Sequence, residues 1–460
     1  MRMLVPILAA LGAATLVSCT STSSCVPGAS SACTCTSGRT GAQVCAADGT
    51  FSACVCDGPV EDASPGIDGG PTPTDAGDTV DAVVAADAHS PVDAPETIDA
   101  LTPIDGGPPP ADAGPPTGYV HVDVGYLSTC ATHADGRVYC WGAAAGEGSV
   151  GSCTVSAPTL VLNATSTAST AYWHRCGLLR GGNVQCWGRG AYLGDGTHAD
   201  RAVPTTVTGL TNAVSMDVGN GGGCAARSAG NVLCWGGNGS GQLGNGTMTN
   251  SLAPVAVVGL SSAAAIAAGD SHNCAVRADR TIACWGDNAV GQLGQGTTSG
   301  SSLPVDVPGE TGVVQLALGS AHSCAVHSDG HLSCWGFNTH GQLGIGTTTH
   351  SLDPVGVTAL TGVAQASAGL ATCAVLTSGQ LWCWGLNDAG QVGDGTLTNR
   401  ATPTRVSGID DAVFVSAGLM HSCAIRRPGR VWCWGGNPCG QLGDGTRAPS
   451  TVPIEVPGLP

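Results

Sequence analysis

The chain is organised around one tripeptide, Cys-Trp-Gly, which recurs seven times within residues 118–460. Successive tryptophans are 46 to 50 residues apart. A unit of this size cannot bury its own apolar face, so neighbouring units must stack on one another. A period near fifty with short strands is typical of propeller blades, and we predict an all-β, seven-bladed β-propeller. The repeated tryptophans are Trp141, Trp187, Trp235, Trp285, Trp335, Trp384 and Trp434.

Each repeat has a second cysteine ten residues before the cysteine of Cys-Trp-Gly. In the fifth repeat the midpoint is Ser328-Asp329-Gly330, which predicts a three-residue hairpin loop ending in a left-handed residue. Glycine fills that last position in six repeats, and Arg280 in the fourth should cost about 1 kcal/mol. This loop places the cysteines at a non-hydrogen-bonded pair, within disulfide reach. The predicted pairs are Cys130–Cys140, Cys176–Cys186, Cys224–Cys234, Cys274–Cys284, Cys324–Cys334, Cys373–Cys383 and Cys423–Cys433.

The paired cysteines have two alternative interpretations. Buried free thiols would pack as small apolar groups, but seven pairs at one spacing in an exported chain argue against that interpretation. Zinc is disfavoured because each hairpin offers two thiolates and the sequence has no Cys-x-x-Cys pair. The chain-entropy model gives each short disulfide loop about 3 kcal/mol as an upper figure.

Two further cysteines, Cys153 in the first repeat and Cys439 in the last, follow their Cys-Trp-Gly tripeptides. In a closed ring these two repeats are neighbours. We therefore hypothesise a Cys153–Cys439 clasp that links the first blade to the last.

In the fifth repeat we predict strands over Val313–Leu318, His322–His327 and His331–Trp335, with a fourth near Pro354–Val357. In the last repeat the third strand has four apolar residues in succession, at 431–434. A strand without alternation fits a blade that is buried on both faces.

Residues 1–18 read as an export signal, with Arg2 followed by a short apolar run. The run ends in Leu16-Val17-Ser18-Cys19, which resembles the lipobox of bacterial lipoproteins. That resemblance implies acylation of Cys19 as a membrane anchor, and Thr20 in place of aspartate favours the outer membrane, on its periplasmic or cell-surface face. An ordinary cleaved signal peptide is the alternative, and the run is short for a membrane helix.

Residues 19–56 hold the lipidated cysteine and a small module with six more cysteines, for which we predict three disulfides of open connectivity. Metal binding is disfavoured because no histidine accompanies them. Residues 57–117 have 13 acidic residues and no arginine, and their Pro, Asp, Ala and Gly predict a disordered stalk. The six cysteines are Cys25, Cys33, Cys35, Cys45, Cys54 and Cys56.

The repeat motif Cys-Trp-Gly-x-Asn-x-x-Gly-Gln-Leu-Gly-x-Gly-Thr resembles the regulator of chromosome condensation repeat family, whose members are seven-bladed propellers. It is degenerate in the first repeat and shortened in the second. It is clearest at Trp235–Thr247, Trp285–Thr297, Trp335–Thr347, Trp384–Thr396 and Trp434–Thr446. The resemblance implies a protein-binding scaffold or inhibitor-like module. Guanine nucleotide exchange, known in this family, is less expected of an exported chain.

The sequence offers no enzyme motif, so we expect no catalysis, no cofactor and no metal. Aspartates in Gly-Asp-Gly-Thr turns, such as Asp394, are expected to cap the local backbone. Four histidines precede a hairpin cysteine by two residues and could suggest an axial metal ring, but Ser128, Gly222 and Ala371 interrupt it. The resemblance implies a packing and hydrogen-bonding role. These histidines are His174, His272, His322 and His421.

Charge argues against nucleic acid as a partner, because residues 118–460 carry 19 acids against 14 arginines and follow an acidic stalk. An unknown protein partner is our first expectation and a glycan or the cell wall the second. Either would use loop aromatics, although Tyr172 and Trp173 are expected in the core because they precede His174 at a strand junction. The loop aromatics are Tyr126, Tyr172, Trp173, Tyr192 and Phe337.

Overall fold

The computed structural model describes residues 30–34, 40–44, 118–143, 153, 157–163 and 165–459. The chain divides into two compact units, Met1–Ala94 and Pro95–Pro460. In the first unit, Ser30–Thr34 pairs antiparallel with Thr40–Val44. The predictions for the export signal, for Cys19, for the disulfides of residues 19–56 and for the linker 57–117 concern residues outside those that the structure describes. Within the described residues, no helix is long and apolar enough to cross a membrane.

The second unit is a propeller of seven four-stranded antiparallel sheets, as predicted. The first strand of each sheet lines a central channel, and each blade is built from four consecutive strands. The innermost strands are Tyr119–Val124, Thr165–Thr170, Ala213–Gly219, Ala263–Ala268, Val313–Leu318, Val363–Ala368 and Ala412–Ala417. The second strands are Ser128–His133, His174–Leu179, Gly222–Arg227, His272–Arg277, His322–His327, Ala371–Leu376 and His421–Arg426.

The outer half of each blade completes the sheet. The third strands are Val138–Gly142, Val184–Gly188, Val232–Gly236, Ile282–Gly286, Leu332–Gly336, Leu381–Gly385 and Arg430–Gly435. The outermost strands are Thr159–Leu162, Arg201–Thr206, Ser251–Ala256, Ser301–Asp306, Ser351–Gly356, Arg400–Arg405 and Ser450–Glu455. One short 3-10 helix, Gly190–Tyr192, lies between strands of the second blade.

Two strands of the fifth blade differ from the prediction in their bounds. The third strand begins one residue later, at Leu332, and the outermost strand begins at Ser351, not near Pro354. Ser351 pairs with Gly336, so pairing begins before the proline. An edge strand tolerates this proline because its missing N–H need not meet a neighbour.

The hairpin of each blade has the predicted disulfide. Cys324 lies opposite Cys334 in the register, with the two Cα atoms 4.1 Å apart, and the other six blades repeat the arrangement. Gly330 ends the loop at a φ of +82°, and Arg280 adopts +65° at the equivalent position. The predicted left-handed residue at the end of the hairpin loop is therefore confirmed, also at Arg280, where the position is not glycine.

The tryptophans of Cys-Trp-Gly join each blade to the one before it. All seven side chains are fully buried. The Trp335 indole N–H donates to the Gln292 carbonyl of the preceding blade at 2.9 Å. Gly294 allows this approach, because a Cβ atom there would lie 2.8 Å from the indole nitrogen. Five of the seven tryptophans donate to such a glutamine carbonyl and Trp235 donates to the Tyr192 carbonyl, whereas the Trp187 indole N–H has no hydrogen-bond partner among the described residues.

The ring closes without exchanging a strand between its ends, because the first and last sheets each use their own four consecutive strands. Hydrogen bonds join the two end blades: the Tyr119 amide donates to the Gly429 carbonyl at 2.9 Å, and the Val124 amide donates to Ser416 Oγ at 3.1 Å. Cys153 and Cys439, hypothesised as a clasp, are joined in the structure with their Cα atoms 4.7 Å apart. This disulfide is the one in the described residues that links two blades.

Candidate binding rim

The propeller has two unlike rims, and one of them is built as a rigid platform. We define the upper rim as the loops from first to second strand together with the residue that follows each Cys-Trp-Gly. In every blade these two segments are joined by a backbone hydrogen bond, which fixes them side by side. The bonded pairs are Ala143–Leu127, Arg189–Trp173, Gly237–Gly221, Asp287–Ser271, Phe337–Ala321, Leu386–Leu370 and Gly436–Met420.

Three aromatic side chains lie together on the upper rim of the first two blades. The rings of Tyr126 and Tyr172 stack with centroids 4.3 Å apart and planes 13° apart. Tyr172 also contacts Trp173, with centroids 4.3 Å apart, and the Arg189 guanidinium lies 5.1 Å from the Trp173 ring centroid. All three aromatic side chains are partly exposed.

The prediction that Tyr172 and Trp173 belong to the core is therefore wrong. Both precede His174, where the second strand begins, and so lie in the turn. Side chains of the strand point between blades, whereas those of the turn emerge at the rim. The sequence placed these residues at the right junction but did not show which way the turn directs them.

Apolar side chains continue from this cluster around part of the upper rim. We call the set in blades six, seven, one and two the apolar arc. In the corresponding loops of blades three to five, the position of Tyr126 and Tyr172 is instead occupied by Asn220, Asp270 and Ser320. The Tyr172 amide donates to Asn220 Oδ1 at 3.0 Å, and Asn220 Nδ2 donates to Asp270 Oδ1 at 2.6 Å, which ties the polar loops to the arc. The apolar arc consists of Leu370, Leu386, Leu419, Met420, Tyr126, Leu127, Tyr172 and Trp173.

The lower rim, formed by the hairpin loops and the connections between blades, is charged and internally paired. Arg426 contacts Asp411 at 2.6 Å and Arg137 contacts Asp135 at 2.7 Å. Further pairs join Arg277 to Asp306, Arg405 to Asp410 and Arg430 to Glu455. Such a surface favours hydration, since charged groups lose more than they gain on burial. The two rims therefore differ in the kind of contact that each can make.

The two remaining loop aromatics lie outside the apolar arc. The Tyr192 ring lies 5.7 Å from the His174 ring, and its carbonyl accepts the Trp235 indole N–H at 3.1 Å. Phe337, on the fifth blade, packs between His340 and His350. Both make contacts within their own region of the fold.

Three of the four singled-out histidines bridge to a hydroxyl of the next blade. His322 Nε2 lies 2.9 Å from Thr372 Oγ1, and that hydroxyl donates to the Gln342 carbonyl at 2.7 Å. Because the hydroxyl has one proton, the histidine must donate its Nε2–H to it. Burial lowers the pKa of His322 to about 3. The other bridges are His272–Ser323 and His421–Thr129.

His174 departs from this pattern because the residue of the next blade that would supply a hydroxyl is Gly223. Burial lowers its pKa to about 3 as well, with the Arg175 guanidinium contributing. The geometry thus places these histidines between blades, not on the axis. Among the described residues, no group of three or more His, Cys, Asp or Glu is arranged to hold a metal.

The central channel contains a cavity of about 230 Å³. The innermost strands of the blades form its wall, with their free edges along the channel. Polar side chains accept hydrogen bonds from the free main-chain amides of the next blade. Asp217 Oδ2, for example, accepts from the Ala268 amide at 2.9 Å. Asp123 likewise accepts from the Thr170 amide and hydroxyl. Burial, with the Asp123 carboxylate nearby, raises the pKa of Asp217 to about 7.

The aspartates of the Gly-Asp-Gly-Thr turns make local contacts. Asp394 Oδ1 accepts from the Thr396 amide at 2.9 Å and its other oxygen pairs with Arg400. Asp195 repeats both contacts, with Thr197 and Arg201. These carboxylates shape loops and do not face the channel or the apolar arc.

The repeats match a known protein family. The family model for the RCC1-like domain matches residues 192–460. The chain belongs to the RCC1-like family. Among solved structures, its RCC1-like propeller is similar to yeast RCC1 (Prp20) bound to Kap60, with TM-score 0.59 and 22% identity over 65% of this chain and 78% of that one.

Two more solved propellers show the same fold. Prp20p from Saccharomyces cerevisiae, described with its binding to Gsp1p and histones, matches with TM-score 0.59 and 21% identity over 66% of this chain and 82% of that one. Human WBSCR16 matches with TM-score 0.59 and 20% identity over 70% and 94%. A search of curated proteins found no match. At these identities the likeness to the RCC1-like structures concerns the fold.

Proposed function

We propose that this chain is a non-catalytic, extracytoplasmic binding propeller that docks a protein partner on its upper rim. The observation that carries the proposal is the stacked cluster of Tyr126, Tyr172 and Trp173. Membership of a family of propeller scaffolds supports protein binding as the class of function. The second half of the proposal, a lipid anchor at Cys19 in the outer membrane, rests on the sequence of residues 1–19.

The physical case for this rim is that it presents large aromatic area without needing to be ordered on binding. Binding hot spots are enriched in tryptophan, tyrosine and arginine, and here Arg189 extends the cluster over Trp173. Backbone bonds such as Arg189 to Trp173, at 3.0 Å, hold the loops before a partner arrives. A preformed surface loses less conformational entropy on association.

The test compares the full-length protein with a variant that lacks the cluster, Tyr126→Ala/Tyr172→Ala/Trp173→Ala. Trp432→Ala is a matched control, because Trp432 is also partly exposed and lies under a guanidinium, that of Arg426, but away from the upper rim. Each detergent-purified protein is immobilised and titrated with envelope and culture-fluid fractions. We expect saturable capture of one protein, weakened at least tenfold by the triple variant and unchanged by Trp432→Ala.

Equal capture by all three proteins would overturn the assignment to the upper rim. Retention on purified cell-wall polysaccharide, lost in the triple variant and with no protein captured, would replace protein binding by glycan adhesion. The anchor is tested separately by metabolic labelling with a fatty acid. Cys19→Ala should abolish labelling and release the chain from the outer-membrane fraction, and label that persists would exclude Cys19 as the acylated residue.

A further inference from the structure

Glu310 lies in the connection between blades four and five, at a position where four other connections bury an apolar residue. In those four joints the apolar residue belongs to a core that two neighbouring blades share. The core shared by blades four and five has no member from this position, although Glu310 is only 8% exposed. A carboxyl group therefore lies where the other joints have apolar packing. The equivalent residues are Leu210, Leu260, Leu360 and Ile409.

Two side chains of blade five bind the Glu310 carboxylate. Ser333 Oγ donates to Glu310 Oε2 at 2.9 Å, and His327 Nε2 lies 3.0 Å from the same oxygen. His327 Nδ1 lies 2.9 Å from the Thr311 carbonyl oxygen. Because a carbonyl oxygen and an ionised carboxylate can only accept, this arrangement requires a proton on each ring nitrogen. The lower side of the joint is thus held by an ion pair between Glu310 and a charged His327.

The groups that face His327 favour its charged form. The bonded Glu310 carboxylate raises the pKa of His327, the Thr311 carbonyl and Asp329 act in the same direction, and burial opposes them. Asp329, in the hairpin loop, is itself paired with His331 at 2.8 Å. Among the described residues no arginine forms an ion pair with Glu310. His327 is therefore the cation on which the buried carboxylate depends.

The same joint lacks the hydrogen bonds that link the other blades along the channel. At the six other joints, a side chain of one innermost strand accepts from a main-chain amide of the next. Ser367, for example, accepts from the Ala417 amide at 2.9 Å. In blade four the equivalent positions are Ala265 and Ala267, which have no acceptor to offer. The joint between blades four and five therefore depends more than the others on its contacts at the lower rim.

We infer that the joint between blades four and five is controlled by pH: its lower side is held while His327 is protonated and loosens when the ring loses that proton. A neutral ring keeps one N–H, so either the Glu310 carboxylate or the Thr311 carbonyl loses its donor. A buried carboxylate without its cation is strongly destabilising. The bond from Trp335 to Gln292 does not involve this proton, so the ring stays closed.

The direction of the effect follows from the two states of His327. Its pKa is raised in the folded protein, so the folded chain holds this proton at a pH where the unfolded chain has lost it. Stability from the pair is complete below pH 6.5 and is lost as the pH rises through the folded-state pKa. This is opposite to the buried histidines that bridge blades, whose pKa is lowered.

The test is hydrogen–deuterium exchange of the full-length protein at pH 6 and pH 9, corrected for the intrinsic rate at each pH. Two amides report on the joint, because Val313 donates to the Arg280 carbonyl at 3.0 Å and Ser328 to the Gly312 carbonyl at 2.9 Å. We expect the protection of both to fall roughly tenfold at pH 9. The equivalent amides of Val363 and Thr377, beside the connection that buries Leu360, should keep their protection and are the internal control.

Two variants separate the ion pair from other effects of pH. Glu310→Leu restores the side chain of the neighbouring connections, and His327→Arg introduces a permanent cation, as Arg227 and Arg277 do at the equivalent position. Both variants should show the same protection of the Val313 amide at the two pH values. Protection that does not change with pH in the wild type, or that falls equally in Glu310→Leu, would overturn the inference.

Discussion

The indole N–H of Trp141, in the first blade, donates to the main-chain oxygen of Gln441, in the last blade, at 2.9 Å. The same oxygen accepts the hydroxyl of Thr129 at 2.9 Å, and that hydroxyl also meets His421. The joint that closes the ring thus repeats the contacts that join blade four to blade five and blade five to blade six. One repeat motif therefore serves both to propagate the propeller and to end it.

Trp141→Phe should destabilise the propeller, because it removes the indole donor and leaves a cavity in a fully buried site. We expect a loss of about 3 kcal/mol in the free energy of unfolding. Trp285→Phe removes the equivalent bond to Gln242, also 2.9 Å, between interior blades and is the control. Denaturant unfolding of both variants measures the difference, and an unchanged midpoint for Trp141→Phe would contradict a closing role for this bond.

The Cys153–Cys439 link should matter more than any single hairpin disulfide. It closes 286 residues of sequence, whereas Cys324–Cys334 closes 10. The chain-entropy model gives about 6 kcal/mol for the long loop and about 3 kcal/mol for the short one. Thermal unfolding of Cys153→Ser/Cys439→Ser and of Cys324→Ser/Cys334→Ser tests this order. A peptide map showing both clasp cysteines as free thiols would remove the link from the native protein.

Two neighbouring glycines should respond very differently to alanine. Gly344 and Gly346 both have positive φ, at +73° and +82°. A Cβ on Gly344 would lie 2.6 Å from the Trp384 indole nitrogen, whereas one on Gly346 would meet Thr402 at an ordinary 3.7 Å. Gly346→Ala should cost about 1 kcal/mol, from backbone strain. Gly344→Ala should lower the free energy of unfolding by about 3 kcal/mol or more. Equal denaturant midpoints for the two variants would contradict this, because they would show that the contact between Gly344 and Trp384 adjusts without cost.

The bridging histidines should make the propeller sensitive to acid. Their pKa is lowered by burial to about 3, so below pH 6.5 the unfolded chain binds protons that the folded chain does not. Stability contributed by each histidine is complete above pH 6.5 and is lost as the pH falls towards 3, by about 1 kcal/mol per pH unit. Asp217, whose pKa is raised to about 7, acts in the opposite direction below pH 7 but is a single group.

His272→Gln/His322→Gln keeps an N–H donor for Ser323 and Thr372 and removes the titrating ring. Urea unfolding between pH 7 and pH 4 should therefore show a shallower loss of stability than in the wild type. A second variant, Asp217→Asn, should steepen the wild-type loss, because it removes the group that gains stability on acidification. Parallel pH profiles for wild type and the histidine variant would contradict a neutral, buried state of these rings.

The periodic elements were predictable because they depend on local sequence. The position of Cys324 and Cys334 across a three-residue loop follows from hairpin geometry, and Arg280 marked the one turn without glycine. The ends of the strands were less predictable from the sequence. Ser351 pairs with Gly336, and no local pattern near Pro354 indicates that pairing. The bond from Trp335 to Gln292 was also not foreseen, because its partners lie 43 residues apart.

The candidate binding site was the feature least predictable from the sequence. Tyr126 and Tyr172 are 46 residues apart in the sequence, and each is a single aromatic beside a strand. Their stacking depends on the angle between two blades, which packing of the whole ring sets. The contrast between the apolar arc and Asn220, Asp270 and Ser320 could have been found by aligning the repeats at this loop, since the signal is a difference between equivalent positions.

The sequence by itself determined the architecture: seven repeats of similar length, each with a hairpin and a tryptophan, can bury their apolar faces by stacking side by side around an axis. What the tertiary structure decided is where the surface differs. The Cys153–Cys439 clasp could be hypothesised from the sequence because a closed ring makes the first and last repeats neighbours, but the orientation of Tyr172 and Trp173 onto the upper rim could not. Closure brings together residues whose separation in sequence carries no record of their distance in space.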